Sequence, residues 1–169
     1  MKDRGPWGPF ASTMRAPTKW FLFLVSILGL TLLIVLSGRE EIKFPKGTLV
    51  FYCGDREFKM RVEIADTPSL RSVGLMYRKD VPYSYGMFFV FDEDTTSGFW
   101  MKNTYIPLEI AFIDRNGVIF EIKKMKPCLQ EPCEVYYSSR PYRYALEVKD
   151  GFFERHRIGV GCKVKLVRK

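Results

Sequence analysis

The apolar positions of this 169-residue chain fall into two regimes. From Trp20 to Gly38 the sequence WFLFLVSILGLTLLIVLSG is unbroken by any charge. As a helix rising about 1.5 Å per residue it is about 28 Å long, close to the roughly 30 Å hydrocarbon core of a bilayer. A buried core helix is the alternative, but a soluble domain of this size seldom hides one so long and so uniformly apolar. The segment reads as a transmembrane helix. Beyond it the apolar positions come in short runs and alternations, which is the period of strands.

Thr48–Tyr52 and Phe58–Ala65 read as strands around the turn signal Cys53-Gly54-Asp55. Thr67 followed by Pro68 marks an N-cap and a first-turn proline. The short helix they open is expected to place Leu70, Val73 and Tyr77 on one stripe. Met87–Phe91 is a compact apolar run, followed by a polar loop from Asp92 to Gly98. Tyr142–Val148 alternates, with Tyr142, Tyr144, Leu146 and Val148 on one side and Arg143, Ala145 and Glu147 on the other. Asp150 is placed to cap a short helix that Gly159 ends, and Lys163–Val167 closes the chain as a strand.

Leu108–Asp114 and Val118–Met125 form the clearest hairpin, and two turns compete for it. A two-residue Asn116-Gly117 turn pairs Phe112 with Glu121 and Ile110 with Lys123, mixing polarity on both faces. A three-residue loop, Arg115-Asn116-Gly117 with a left-handed glycine, pairs Phe112 with Phe120 and Ile110 with Ile122. The second leaves one clean apolar face, and register follows the buried face. The three-residue loop with that register is expected.

Composition agrees with a turn-rich β domain: 10 prolines, 13 glycines and 15% aromatic residues. Charge then sets the address. Lys2, Arg4, Arg15 and Lys19 against Asp3 give residues 1–19 a net +3, which keeps the N-terminus cytoplasmic and sends the rest across. The apolar run is longer than a signal-peptide core, and Val35-Leu36-Ser37-Gly38 is a poor cleavage site. The expected organisation is a cytoplasmic basic N-terminus (1–19), an uncleaved signal-anchor (20–38), a tether (39–46) and an extracytoplasmic β-rich domain (47–169). The protein is thus placed in the cell membrane as a single-pass chain, with the bilayer its partner through residues 20–38. Of the overall +8, +5 remains beyond the anchor, spread among acids. That diffuse charge, with no basic arm or reading helix, argues against a nucleic-acid partner.

All four cysteines follow the anchor. Cys128 and Cys133 enclose a short loop that a disulfide can close. Cys53 and Cys162 would also pair if the first and last strands are neighbours. No Cys-x2-Cys pair exists and His156 is the sole histidine, so no metal site is expected.

Four segments carry a family resemblance: RSVGLMYR (Arg71–Arg78), GMFFVF (Gly86–Phe91), FWMKNTYIPLEIAFID (Phe99–Asp114) and YALEV (Tyr144–Val148), with Gly159-Val160-Gly161 at the end. Together they resemble the domain of unknown function 192 family over roughly residues 49–166. The chain departs from the family pattern at Glu109, where aspartate is common, and at Cys162, where an acid is usual. The resemblance implies a small, mostly β (α+β) domain, a barrel-like antiparallel sheet with one or two short helices. It implies no established activity.

The polar residues of those segments supply the candidate chemistry. Arg71, Arg78, Trp100, Asn103, Thr104 and Glu109 are the candidate ligand-binding residues. Asn103-Thr104 follows an aromatic strand and precedes Pro107, a strand end where sites tend to sit. The bland reading there is a side-chain-stabilised turn, and for Trp100, Met87 and Met101 it is core packing. Tyr136, Tyr137, Tyr142 and Tyr144 are suited to stacking on sugars or peptides, although alternation buries half of them. Glu109 and Glu147 are the candidates for an acid/base pair. Against that pair, Glu109 faces Lys123 or Lys124 in either hairpin register, and Glu147 shares a strand face with Arg143. His156, in the charged run ERHR, reads as an exposed residue. No P-loop or dinucleotide fingerprint is present, so no cofactor is expected. The sequence therefore leads to a membrane-anchored module binding an envelope small molecule or a membrane protein. An envelope hydrolase using Glu109 and Glu147, or a docking domain without a cleft, are the alternatives.

Overall fold

A computed structural model describes residues 42–168 and, ahead of them, Ser26 as a single helical position. The N-terminal segment, the anchor apart from Ser26, and residues 39–41 of the tether lie outside the described residues. The strands are β1 (Lys46–Cys53), β2 (Arg56–Ala65), β3 (Tyr85–Thr95), β4 (Phe99–Trp100), β5 (Leu108–Ile113), β6 (Ile119–Met125), β7 (Val135–Tyr136), β8 (Tyr142–Lys149) and β9 (Lys163–Arg168). The helices are α1 (Pro68–Val73) and α2 (Phe152–His156).

β1 and β2 form the hairpin that the turn signal predicts, with Cys53 opposite Arg56 and Gly54 at φ 61°. Thr67 caps α1 by accepting the Leu70 N–H, and Pro68 occupies the first turn, where its missing donor costs nothing. α1 ends at Val73, one residue before Gly74. Tyr77 therefore lies beyond the helix in a left-handed conformation, exposed, and Leu75 is buried in the core. The expected Leu70-Val73-Tyr77 stripe does not form. The crossover through α1 lets β3 enter alongside β2 in the same direction, as a parallel pair needs.

Seven strands hydrogen-bond in the order β6-β5-β8-β3-β2-β1-β9, while β4 and β7 form a separate two-stranded sheet. The large sheet is mixed, and it is not closed into the barrel-like antiparallel sheet expected above. Its two edge strands touch at one corner, where Val118 bridges Lys163 and the Val164 N–H donates to the Gly117 carbonyl at 2.7 Å.

Apolar side chains cover both faces. Leu49, Phe51, Val62, Ile64, Ala111, Leu146 and Phe152 build one cluster. Met87, Phe89, Met101, Ile110, Phe112 and Tyr142 belong to the other. Every residue of β5 is buried, because the strand lies inside the sheet with a cluster on each side. That explains the hairpin register. The turn is the three-residue loop expected, closed by Asp114 and Val118, with Gly117 left-handed at φ 79°. After Ile113 pairs with Ile119 the ladder slips at Phe120, so Phe112 pairs with Glu121 and Ile110 with Lys123. The register of β6 is thus the one rejected from the sequence. A rule that assumes a single buried face does not hold for a strand buried on both. Phe120 instead lies under the Arg140 guanidinium, 4.1 Å from its carbon to the ring centre.

Three smaller differences follow from packing. β3 continues to Thr95, shortening the polar loop, and Asp94 pairs with Arg115 and Arg143. Tyr142 turns away from Tyr144 to pack on Phe91, Phe99 and Phe112, beyond the register shift between Val90 and Thr95. α2 starts at a left-handed Gly151 and ends at a left-handed Arg157, with no side-chain cap from Asp150.

A candidate binding face around Trp100

β4 and β7 are two residues long, and their register assigns the sides. Phe99 lies opposite Tyr136, and both are buried. Trp100 lies opposite Val135, and both face solvent, Trp100 with 48% of its surface exposed. Trp100 is thus not core, although Met87 and Met101 are. Gly98 has no side chain to separate Val135 from Tyr137, and a Cβ there would collide with both. An apolar strip runs from Tyr137 across Val135 to Trp100.

The strip continues into a braced loop. Lys102 Nζ lies 5.3 Å from the centre of the Trp100 ring and is ion-paired with Glu131. The Glu131 carboxylate raises the pKa of Lys102, and the ammonium lowers that of Glu131. Lys102 and Thr104 both bridge Cys128, and the Asn103 N–H donates to the Cys128 carbonyl at 3.1 Å. Cys128 is disulfide-bonded to Cys133, so the 128–133 loop is tied at its ends and to this strand. A cavity of about 260 Å³ lies between Lys102-Asn103 and the loop, with Leu129 on its wall.

Asn103 and Tyr77 are the two left-handed residues of this region, at φ 55° and 63°. They hold each other: the Tyr77 N–H donates to the Asn103 carbonyl and Asn103 Nδ2 donates to Tyr77 Oη, both at 2.8 Å. Left-handed backbone at a non-glycine residue is uncommon and persists where surrounding bonds over-determine it. Asn103 lines the cavity, and its partner Tyr77 is 64% exposed. Five large apolar side chains of these segments are exposed: Trp100, Val135 and Tyr137 along the strip, Leu129 on the cavity wall, and Tyr77 bonded to Asn103. Aromatic anchors beside a few polar groups are the composition of binding hot spots.

The two carboxylates are arranged otherwise. Ile110 pairs with Glu147 across β5 and β8, so Glu147 shares its face and Glu109, one residue away, points to the opposite one. Glu109 accepts the Phe153 N–H at 3.2 Å at the base of α2, and Lys124 sits opposite it, as expected. Glu147 is 4% exposed, and burial raises its pKa to about 8. Arg143, its expected partner, bonds instead to Asp94 and the Asp92 carbonyl. With a sheet between them, Glu109 and Glu147 share no cleft.

The family profile of DUF192, Uncharacterized ACR, matches residues 52–166. The chain belongs to the DUF192 family. A crystal structure of a candidate transcription regulator from Sinorhizobium meliloti 1021 is similar at 31% identity and a TM-score of 0.69, covering 75% of this chain and 98% of that one. A protein of unknown function from Novosphingobium aromaticivorans DSM 12444 is similar at 26% identity and a TM-score of 0.63, covering 70% and 83%. No curated protein matches the chain.

Within this DUF192 domain, Trp100 stacks with Lys102, whose neighbour Asn103 lines the cavity, and Thr104 is buried. The other candidates do not join them. Arg71 donates to the Asp66 and Val90 carbonyls and lies over the Phe91 ring, bracing α1 against β3. Arg78 is ion-paired with Glu63 and bonded to Tyr85 Oη. His156 is not simply exposed: its ring packs 4.2 Å from Phe58 and 4.6 Å from Phe152, and burial lowers its pKa. Tyr77, Lys102, Leu129 and Val135 were missed as site residues. The GLM-x-R and WMKNT strings hold two of them, but only the tertiary pairing of Tyr77 with Asn103 shows that they meet. Among the described residues no group of three His, Cys, Asp or Glu side chains could hold a metal ion.

Proposed function

We propose that this protein is a membrane-tethered, extracytoplasmic binding module, and that its ligand, an envelope small molecule or a membrane protein, sits on the Trp100 face. The observation that carries this reading is the exposed strip Trp100-Val135-Tyr137, joined to Lys102 and Asn103 on a disulfide-braced loop. Two lines support the address. The uncharged run 20–38 follows a segment of net +3, and all four cysteines are paired, as suits an oxidising compartment. The hydrolase alternative loses support because its two carboxylates lie on opposite faces of the sheet. The description of the S. meliloti relative suggests nucleic acid, but the two described helices here are six and five residues long and present no basic reading face.

The address is tested by a topology reporter fused after Lys169. Alkaline phosphatase is expected to be active there and a cytoplasm-dependent fluorophore dark; the reverse pattern would contradict the extracytoplasmic placement. For the face, ligands that raise the melting temperature of residues 39–169 are expected to lose most of that effect in Trp100→Ala and Asn103→Ala. A shift that survives both substitutions would mean that the ligand binds elsewhere.

A further inference from the structure

β9 has a neighbour along its full length on one side only. There it pairs with β1 from Tyr52-Lys163 to Gly47-Arg168. On the other side the β5–β6 turn reaches only its first two residues, through the Val118-Lys163 bridge and the Val164-Gly117 hydrogen bond. Backbone groups of an antiparallel strand alternate between its two sides. Val164 directs its N–H away from β1, so Leu166 and Arg168 do the same, and β9 is an edge of the sheet. The last part of β9 is an unpaired edge among the described residues.

That edge borders a cleft of about 600 Å³. Its floor includes Phe88 and Tyr144, whose rings are stacked at 5.6 Å and 16°, together with Val90 and the inward-facing Leu166. Arg115, Lys163, Lys165 and Arg168 are also among its lining residues, and no acidic residue lines it. Arg115 and Arg168 are ion-paired to Asp94 and Asp66, whereas Lys163 and Lys165 have no ion pair among the described residues. The two groups are sorted by strand parity: Val164 and Leu166 face the cleft floor side, Lys163 and Lys165 the other face.

We propose that the free edge of β9 takes an added strand from an extended partner segment that alternates apolar and acidic residues. Its backbone would pair with the Leu166 and Arg168 amides and carbonyls. Its apolar side chains would enter the cleft over Phe88 and Tyr144, and its carboxylates would lie beside Lys163 and Lys165. This is a second binding surface and does not depend on the Trp100 face. Lysines on an edge strand also deter self-pairing, and that role alone predicts no binding of the peptide.

The test uses the full chain in nanodiscs and a capped seven-residue peptide alternating glutamate and valine. The expected result is binding that weakens with salt and slows amide exchange in residues 164–168. An analogue N-methylated at alternate residues should bind at least tenfold more weakly, and a lysine-valine analogue should not bind. Lys163→Glu with Lys165→Glu, which leaves the edge backbone intact, should reverse the preference between the two peptides. Absence of binding, equal affinity for the N-methylated analogue, or full competition by inorganic pyrophosphate would each overturn the proposal.

Discussion

Replacing Cys53 and Cys162 together by alanine is expected to lower the unfolding free energy of residues 39–169 by about 5 kcal/mol, against about 2 kcal/mol for the Cys128/Cys133 pair. The difference rests on loop length. The first disulfide joins residues 109 apart, tying the end of β1 to the turn before β9, and the second joins residues 5 apart. Closing a loop removes denatured-state entropy that grows with the logarithm of its length, about 5 and 2 kcal/mol for these spans. Cys162 is also packed in the core cluster with Leu49, Phe51 and Val164, so losing its sulfur adds a small packing cost. For a domain of ordinary stability, about 5–15 kcal/mol, the first loss amounts to a third or more. Guanidinium unfolding of the oxidised variants measures it. An equal loss in the two double variants would show that loop length does not set the contribution.

Glu147 carries the second large effect, and it depends on pH. Burial raises its pKa from 4.5 to about 8. The folded chain keeps the carboxyl protonated while the unfolded chain ionises it, so folding takes up a proton between these two values. The contribution of Glu147 is therefore fully present below about pH 4.5 and is lost as pH rises to about 8. At about 1.4 kcal/mol for each pKa unit, the loss is about 5 kcal/mol across the window. Glu147→Gln should match the parent near pH 4.5 and exceed it by several kcal/mol at pH 8. Urea midpoints at the two values read this directly, and the difference between parent and variant cancels the other titrating groups. A parent whose stability rises relative to the glutamine variant between pH 5 and 8 would mean that Glu147 is ionised in the fold.

How far these features were legible beforehand depended on whether they are local. The β1–β2 turn, the Thr67-Pro68 cap and the Arg115-Asn116-Gly117 loop are written in neighbouring residues, and they form as read. The 128–133 disulfide is local as well, and Cys53–Cys162 follows once β1 and β9 are neighbours. The register beyond the β5–β6 turn was not legible, because the slip at Phe120 answers to clusters on both faces of β5. The separation of Glu109 from Glu147 was hidden for a related reason. Parity within each strand is plain, but relating the two strands needs the Ile110-Glu147 register. Trp100 is among the candidates read from the sequence, but its exposure was not legible, because β4 is too short to show alternation and its side is set by a partner strand some 35 residues later.

The central claim is that binding occurs at the Trp100 face and at neither carboxylate. Trp100 is the only tryptophan of residues 39–169, so its fluorescence reports on that face alone. Free, a half-exposed indole is quenched by acrylamide. The account predicts that a ligand other than a β9-edge peptide which raises the melting temperature of this fragment will also shield Trp100 from the quencher, with the same concentration dependence. A stabilising ligand that leaves Trp100 quenching unchanged, and that is not a peptide added at β9, would contradict it.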